Sequence, residues 1–223
     1  MRIVSANLFC LNVTRSRAIE AVAAQGGDVT VLIESTTGFG RHIERCLPPL
    51  RARGITRKRG MPVSVHAGDR IDVRNVWESG LGWLECRVSG VLLLMVHAIA
   101  PYLPWRLGAR RTQLAALGDR LSSISPDEDA LAVGDFNTAA FEPAWAELQS
   151  AACDWRKLDL QTPRWRGTWP LGGVWAPIAL DHVLAPAHLL DRVEKPVSAK
   201  TFPIPGSDHM GLVVELPDNT EKE

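Results

Sequence analysis

Short apolar runs, each stopped by one polar residue, set the rhythm of this chain. The run through Ile3 and Val4 reaches Asn7; Val29 to Ile33 reaches Glu34; Val91 to Val96 reaches His97. Ala130 to Val133 leads into Gly134-Asp135-Phe136-Asn137. Continuous apolar runs of this length predict strands covered on both faces. We read strands over residues 2–8, 28–33, 62–66, 71–77, 83–88, 91–97, 131–133, 179–184 and 211–216. Ser89-Gly90 between two of them fits a two-residue hairpin turn. Apolar residues at helical spacing predict helices over 14–24, with Thr14 as N-cap, and over 105–122, where Leu107, Leu114, Leu117 and Leu121 share a side. Further helices are expected over 38–47 and over 142–150, behind Pro143. A strand–helix–strand start, an antiparallel middle and a second strand–helix half predict an α/β protein. It has two packed sheets with helices outside and strand ends converging on one cleft.

Length and composition fit one soluble domain. The 223 residues show no linker, repeat or low-complexity segment, so residues 1–217 are read as a single domain and 218–223 as a polar tail. The 25 basic and 25 acidic residues balance, which counts against dedicated wrapping of duplex nucleic acid. The four cysteines are scattered singly, so a zinc ribbon is not expected and reduced core residues are. No apolar stretch approaches a membrane span and no leader pattern is visible, so the expected compartment is cytoplasmic.

The polar residues that close the runs are the candidate chemistry. Asp135 and Asn137 stand two apart on an extended segment and face the same way. Asn7, Glu34, His97, Asp181 and Asp208-His209 have equivalent places. An isolated strand ending in Gly-Asp is ordinary turn chemistry; seven such residues spread over separate strands are not. Glu34 and Asp135 offer hard oxygen ligands suited to Mg²⁺ or Mn²⁺. Asn7 and Asn137 can donate to phosphate oxygens, and a carboxylate can orient His209 and keep it protonated. With no recognisable serine or cysteine nucleophile motif, water is the expected nucleophile.

In this order the segments Ser5-Ala6-Asn7-Leu8, Val31-Leu32-Ile33-Glu34, Val96-His97, Gly134-Asp135-Phe136-Asn137, Leu180-Asp181-His182-Val183 and Gly206-Ser207-Asp208-His209 resemble the endonuclease/exonuclease/phosphatase superfamily. The resemblance implies a four-layer α/β sandwich, two mixed sheets flanked by helices, and metal-assisted cleavage of a phosphoester. It implies Glu34, Asn7 and Asp208 near the metal, and Asp135 orienting or deprotonating water. It further implies Asn137, Asn7 and His97 around the phosphate and leaving group, and His209 opposite the metal, steadied by Asp181. Phe9 stands where exonuclease III-like members carry a polar ligand, and His97 where they use tyrosine; both depart from an abasic-site repair enzyme. The expected substrate is a phosphoester, with a DNA or RNA nuclease as the alternative and a catalytically silent binding module as the reading from another class.

Several residues carry plainer expectations. His182 is read as structural, His66 and His188 as surface residues, and His42 as lying on a helix face. Arg106, Arg110 and Arg111 are read as one solvated helix face. Arg51, Arg53, Arg57, Lys58 and Arg59 suit a charge-blunted edge strand or a phosphate contact. Trp165, Trp169 and Trp175, with Arg164 and Arg166, suit either a stacking wall or a pinned loop.

Overall fold

The computed structural model describes residues 1–55, 62–101, 103–161, 168, 178–191 and 196–217. The tryptophan-rich stretch, Arg57 to Arg59 and the polar tail lie outside them. Two mixed sheets pack face to face. The first contains β1 (Arg2–Asn7), β2 (Val29–Ile33), β3 (Leu50–Ile55), β4 (Pro62–Ala67), β10 (Leu160–Gln161), β12 (Ser198–Pro203) and β13 (Met210–Glu215). The second contains β5 (Val73–Glu78), β6 (Trp83–Val88), β7 (Val91–His97), β8 (Ala130–Asp135), β9 (Trp155–Lys157) and β11 (Asp181–Pro186). Their orders are β10-β12-β13-β1-β2-β4-β3 and β5-β6-β7-β8-β11-β9.

The alternation of strand side chains builds the layers. Val31, Ile33, Leu93, Met95, Leu131 and Val133 point inward and fill the space between the sheets. Their neighbours point outward. Val4, Ala6 and Leu32 meet Ile19 and Val22 of helix α1 (Arg15–Ala23). Leu92, Leu94 and Val96 meet Leu114, Leu117 and Leu121 of α3 (Pro104–Ser122) and Leu148 of α4 (Pro143–Ala151). A 3-10 turn (Thr37–Phe39) leads into α2 (Gly40–Cys46), which carries His42, and α5 (Ala187–Leu190) is a single turn. The arrangement is the four-layer sandwich expected.

The hairpin turn between β6 and β7 has Ser89 at φ 48° and Gly90 at φ 90°, the left-handed pair that a two-residue hairpin needs. β3 is the sheet edge that carries Arg51 and Arg53, as expected from its charge. Three expectations fail. His66 is buried, bonded to the Ser64 hydroxyl and the Pro48 carbonyl, because β3 covers it. Arg110 is buried rather than solvated, because the loop after β8 folds over it. Of the cysteines only Cys86 is a core residue; Cys10 and Cys46 are half-buried and Cys153 is exposed, all four as free thiols.

Candidate active site

Six strands bring the polar residues to one end of the sandwich. β8 is parallel to β7 and antiparallel to β11, in a register that sets Asp135 opposite both His97 and Asp181. Across the gap β1 presents Asn7, and β2 ends beside it at Ile33 so that Glu34 follows. β13 runs antiparallel to β1, which carries the preceding Asp208-His209 to the same end. The Ser207 hydroxyl ties that loop down by donating to the Asn7 carbonyl at 2.8 Å.

Asp135 is the hub. It is 1 % exposed. Its Oδ2 accepts from Asn7 Nδ2 at 3.1 Å and from Asn137 Nδ2 at 2.9 Å, and its Oδ1 accepts from the Asn137 backbone N–H at 2.8 Å. Asn137 spends its second amide hydrogen on the Ala98 carbonyl, at 3.0 Å. Asn137 has φ 49° and Glu34 φ 59°, a left-handed conformation uncommon for residues with side chains. Strain of this kind concentrates at functional sites.

Electrostatics divides the acids between two tasks. Burial raises the Asp135 carboxyl well above its ordinary range, and the Asp181 charge adds to the rise; His209 and His97 only partly oppose it. Glu34 behaves oppositely. Burial works against its ionisation, but hydrogen bonds from His97 and the Cys10 backbone N–H outweigh that and hold it at about 2. Those contacts are 3.4 Å from His97 Nε2 to Oε1 and 3.0 Å from Cys10 N to Oε2. His209 Nδ1 donates to Asp181 Oδ2 at 2.8 Å. Its Nε2 lies 3.8 Å from Asp135 Oδ2 and 4.0 Å from Asp208 Oδ1. Burial alone would lower the His209 pKa, but the charges of Asp181 and Asp135 raise it to about 10. The result is an imidazolium held between carboxylates.

Asp135, Asp181 and His209 are packed closely enough to hold a cation, their ligand atoms lying within 4.8 Å of one another. A metal there would have to displace the short Asp181–His209 bond. The ionised, partly accessible Glu34 carboxylate, with Asn7 at the end of β1 and Asp208 in the loop before β13, offers hard oxygen atoms without breaking that bond.

His182 faces away, buried against Phe136 and Trp145, with Nε2 2.8 Å from the Thr138 carbonyl. Burial lowers its pKa to about 4, which fits the structural role expected of it. Two supports went unread in the sequence. Arg110 donates to the Asn137 carbonyl and pairs with Glu142, so it braces the loop after β8. The Thr168 hydroxyl accepts from the Leu180 and Asp181 N–H groups, each at 2.9 Å, and anchors the start of β11. Arg110 sits within an arginine-rich helix stretch, and Thr168 acts across 13 residues; neither leaves a local signature.

The same architecture occurs in several solved structures of differently named proteins. Staphylococcus aureus beta toxin, in a crystal structure with bound magnesium ions, superposes with a TM-score of 0.72 at 12% identity, over 97% of this chain and 99% of that one. The D. rerio TDP2 complexed with single-strand DNA product has a TM-score of 0.70 at 14% identity, over 98% and 99% of the two chains. An AP endonuclease from Archaeoglobus fulgidus has a TM-score of 0.70 at 14% identity, over 98% and 100%. No curated protein is significantly similar in sequence. At these identities the likeness concerns the fold alone, whereas the sequence signature of one family runs from β1 through the last site histidine. Matching that signature over residues 4–209, the chain belongs to the Endonuclease/Exonuclease/phosphatase family.

Proposed function

We propose that the chain is a divalent-metal-dependent phosphoester hydrolase that uses water as its nucleophile. The observation that carries this reading is the pairing of two oppositely tuned carboxylates, Asp135 and Glu34, with an imidazolium in one cleft. Glu34, Asn7 and Asp208 would hold Mg²⁺ or Mn²⁺. The bound ion would supply Lewis-acid neutralisation of phosphate charge.

The remaining work falls to the protein. Asp135, with its raised pKa, orients the attacking water and accepts its proton, since a base closer to neutrality takes a proton more readily. His209 stays protonated through Asp181 and turns Nε2–H toward the phosphate oxygens as their charge grows. Asn7 has one amide hydrogen beyond its bond to Asp135, available for a phosphate oxygen. Asn137 reaches the phosphate by exchanging one of its two amide bonds. His97 lies next to Glu34 and closes the leaving-group side.

Bis-p-nitrophenyl phosphate with Mg²⁺ or Mn²⁺ gives the direct test. Turnover should require the cation and vanish in EDTA; full turnover in the chelator would contradict the proposal. A nuclease is the second reading, favoured by the fold's occurrence in a TDP2 bound to a single-strand DNA product. Cytoplasmic residence is part of the proposal and rests on the four free thiols.

A further inference from the structure

We propose that Ser64 is the nucleophile of a second, metal-independent site, which cleaves small uncharged carboxylic esters through an acyl-serine. Ser64 and His66 belong to β4, whose alternate residues Val63, Val65 and Ala67 fill the inter-sheet core. Alternation turns Ser64 and His66 to the opposite face, toward α2. A cavity of about 280 Å³ lies there, lined by Ser35 and Thr36 of the loop after β2, Ile43 of α2, Leu50 of β3, Ser64 and His66. The hydrogen bonds fix where the protons lie. The Pro48 carbonyl can only accept, so His66 Nδ1 donates to it, at 3.2 Å. The neutral ring then has a lone pair at Nε2, and the Ser64 hydroxyl donates to it at 3.1 Å. A serine within hydrogen-bond reach of a base that a third group orients is the general form of an activated nucleophile. Burial lowers the His66 pKa, only partly opposed by the Pro48 bond, so the ring is a free base at neutral pH. The Ser35 hydroxyl lies 3.3 Å from Ser64 Oγ, and with the Ser64 hydrogen spent on His66, Ser35 is the donor of that pair.

Ser64 Oγ bonds to the ester's carbonyl carbon while its proton passes to His66 Nε2. The carbonyl oxygen takes the negative charge. Ser64 Oγ thereby gives up the lone pair that Ser35 was bonding, and the Ser35 O–H is free to turn to the new oxyanion. Collapse breaks the bond to the alcohol oxygen, which leaves with the proton from His66. Water then attacks the acyl-serine, gives a proton to His66, and releases the acid as Ser64 regains its hydrogen. Size and charge narrow the substrate. Ligand pockets run from about 300 to 1,000 Å³, so this cavity stands at the small end and suits a short acyl chain. Glu44 and Arg53 both line it, and their opposite charges favour an uncharged ester. The site does not rest on the hydrolase reading: Ser35 follows Glu34 in the chain, but neither the metal ligands nor Asp135 takes part.

A fluorophosphonate probe, applied in EDTA, tests the nucleophile in the parent protein without any substitution. Mass spectrometry of the digested adduct should find the phosphonyl group on Ser64, its fluoride lost. p-Nitrophenyl butyrate should be hydrolysed equally with and without EDTA, and the laurate ester, too long for the cavity, should not be hydrolysed. Ser64→Ala should abolish both the label and butyrate turnover. His66→Gln should slow both by about 10²–10⁴-fold, the range for a lost general base. Ser35→Ala, which keeps the Ser64–His66 pair, should slow turnover by about 10²–10³-fold, the scale of one oxyanion donor, with the label still confined to Ser64. Circular dichroism and thermal melting establish that each variant folds; if one does not, the label on the parent decides. A parent whose Ser64 stays unlabelled, or butyrate turnover that survives in folded Ser64→Ala or vanishes in EDTA, overturns the proposal. Failure of the hydrolase reading would show separately, as absent turnover of bis-p-nitrophenyl phosphate with the Ser64 label intact.

Discussion

Asp181 is buried, and besides its direct effect on Asp135 its influence on the cleft passes through the imidazole of His209. Its negative charge is a main reason that His209 keeps its proton above the ordinary histidine range. Activity that needs the imidazolium is present below that raised pKa and is lost as pH rises through it. Asp181→Asn should therefore move the alkaline limb of the pH–rate profile to lower pH and leave Mg²⁺ affinity little changed. An unaltered profile with a large loss of Mg²⁺ affinity would make Asp181 a metal ligand instead. Asn137 invites a second substitution. One of its amide hydrogens and its backbone N–H bond Asp135 and the other amide hydrogen bonds the Ala98 carbonyl, so Asn137→Ala should act in large part by loosening that carboxylate. Asp135→Ala should lower kcat by about 10²–10⁴-fold, the range for lost general-base assistance. The double mutant should fall little further than Asp135→Ala alone, because the two residues act as a unit. Multiplicative losses in kcat would show independent roles. Asp135 and Asn137 were legible in the sequence because they close an apolar run, and Asp181 because it opens one at the start of β11. Arg110 was not, since its burial is imposed by the loop after β8 rather than by the helix that carries it.

At the level of elements, β8 is tightly constrained where it approaches β7. Gly134 has φ 137°, and a Cβ there would stand 2.2 Å from the Val96 carbonyl oxygen. Gly134→Ala should cost about 2–3 kcal/mol through backbone strain and displaced strands. A fall in the urea midpoint at unchanged m-value would show it, and an unshifted midpoint would mean that the strands can separate without penalty. The buried strands were readable from composition because both faces are covered, so their apolar runs are nearly unbroken. β9, β10 and β12 were missed for the complementary reason. β9 and β10 have three and two residues, too few for a period to show. β12 reads Ser-Ala-Lys-Thr-Phe-Pro, with a lysine and a proline that only its sheet partner β13 overrides. The arginines of β3 were readable as an edge, because charge there discourages pairing with other chains.

Across the whole molecule the site belongs to neither sheet alone. Glu34 and Asn7 come from one sheet and Asp135, Asp181 and His97 from the other, so the inter-sheet core also fixes the distance between the two carboxylate sets. The topology of the first sheet adds a condition of a different kind. β1, the earliest strand, lies between β2 and β13, the last. Its Asn7 stays without its tie to Ser207 until roughly 200 further residues have been made. At ~5–20 residues per second, ribosomal synthesis leaves that strand waiting about 10–40 s for its neighbour. The nascent chain must hold an apolar strand with an open edge for that interval, a state prone to wrong pairing. A protein released before β13 should keep His209 but lack the strand that closes the β1 edge and fixes that histidine in the cleft, and should be insoluble rather than merely inactive. If the chain is the hydrolase proposed, its site is thus assembled only when β13 has been made, and a shorter nascent chain should not cleave a phosphoester beside the ribosome.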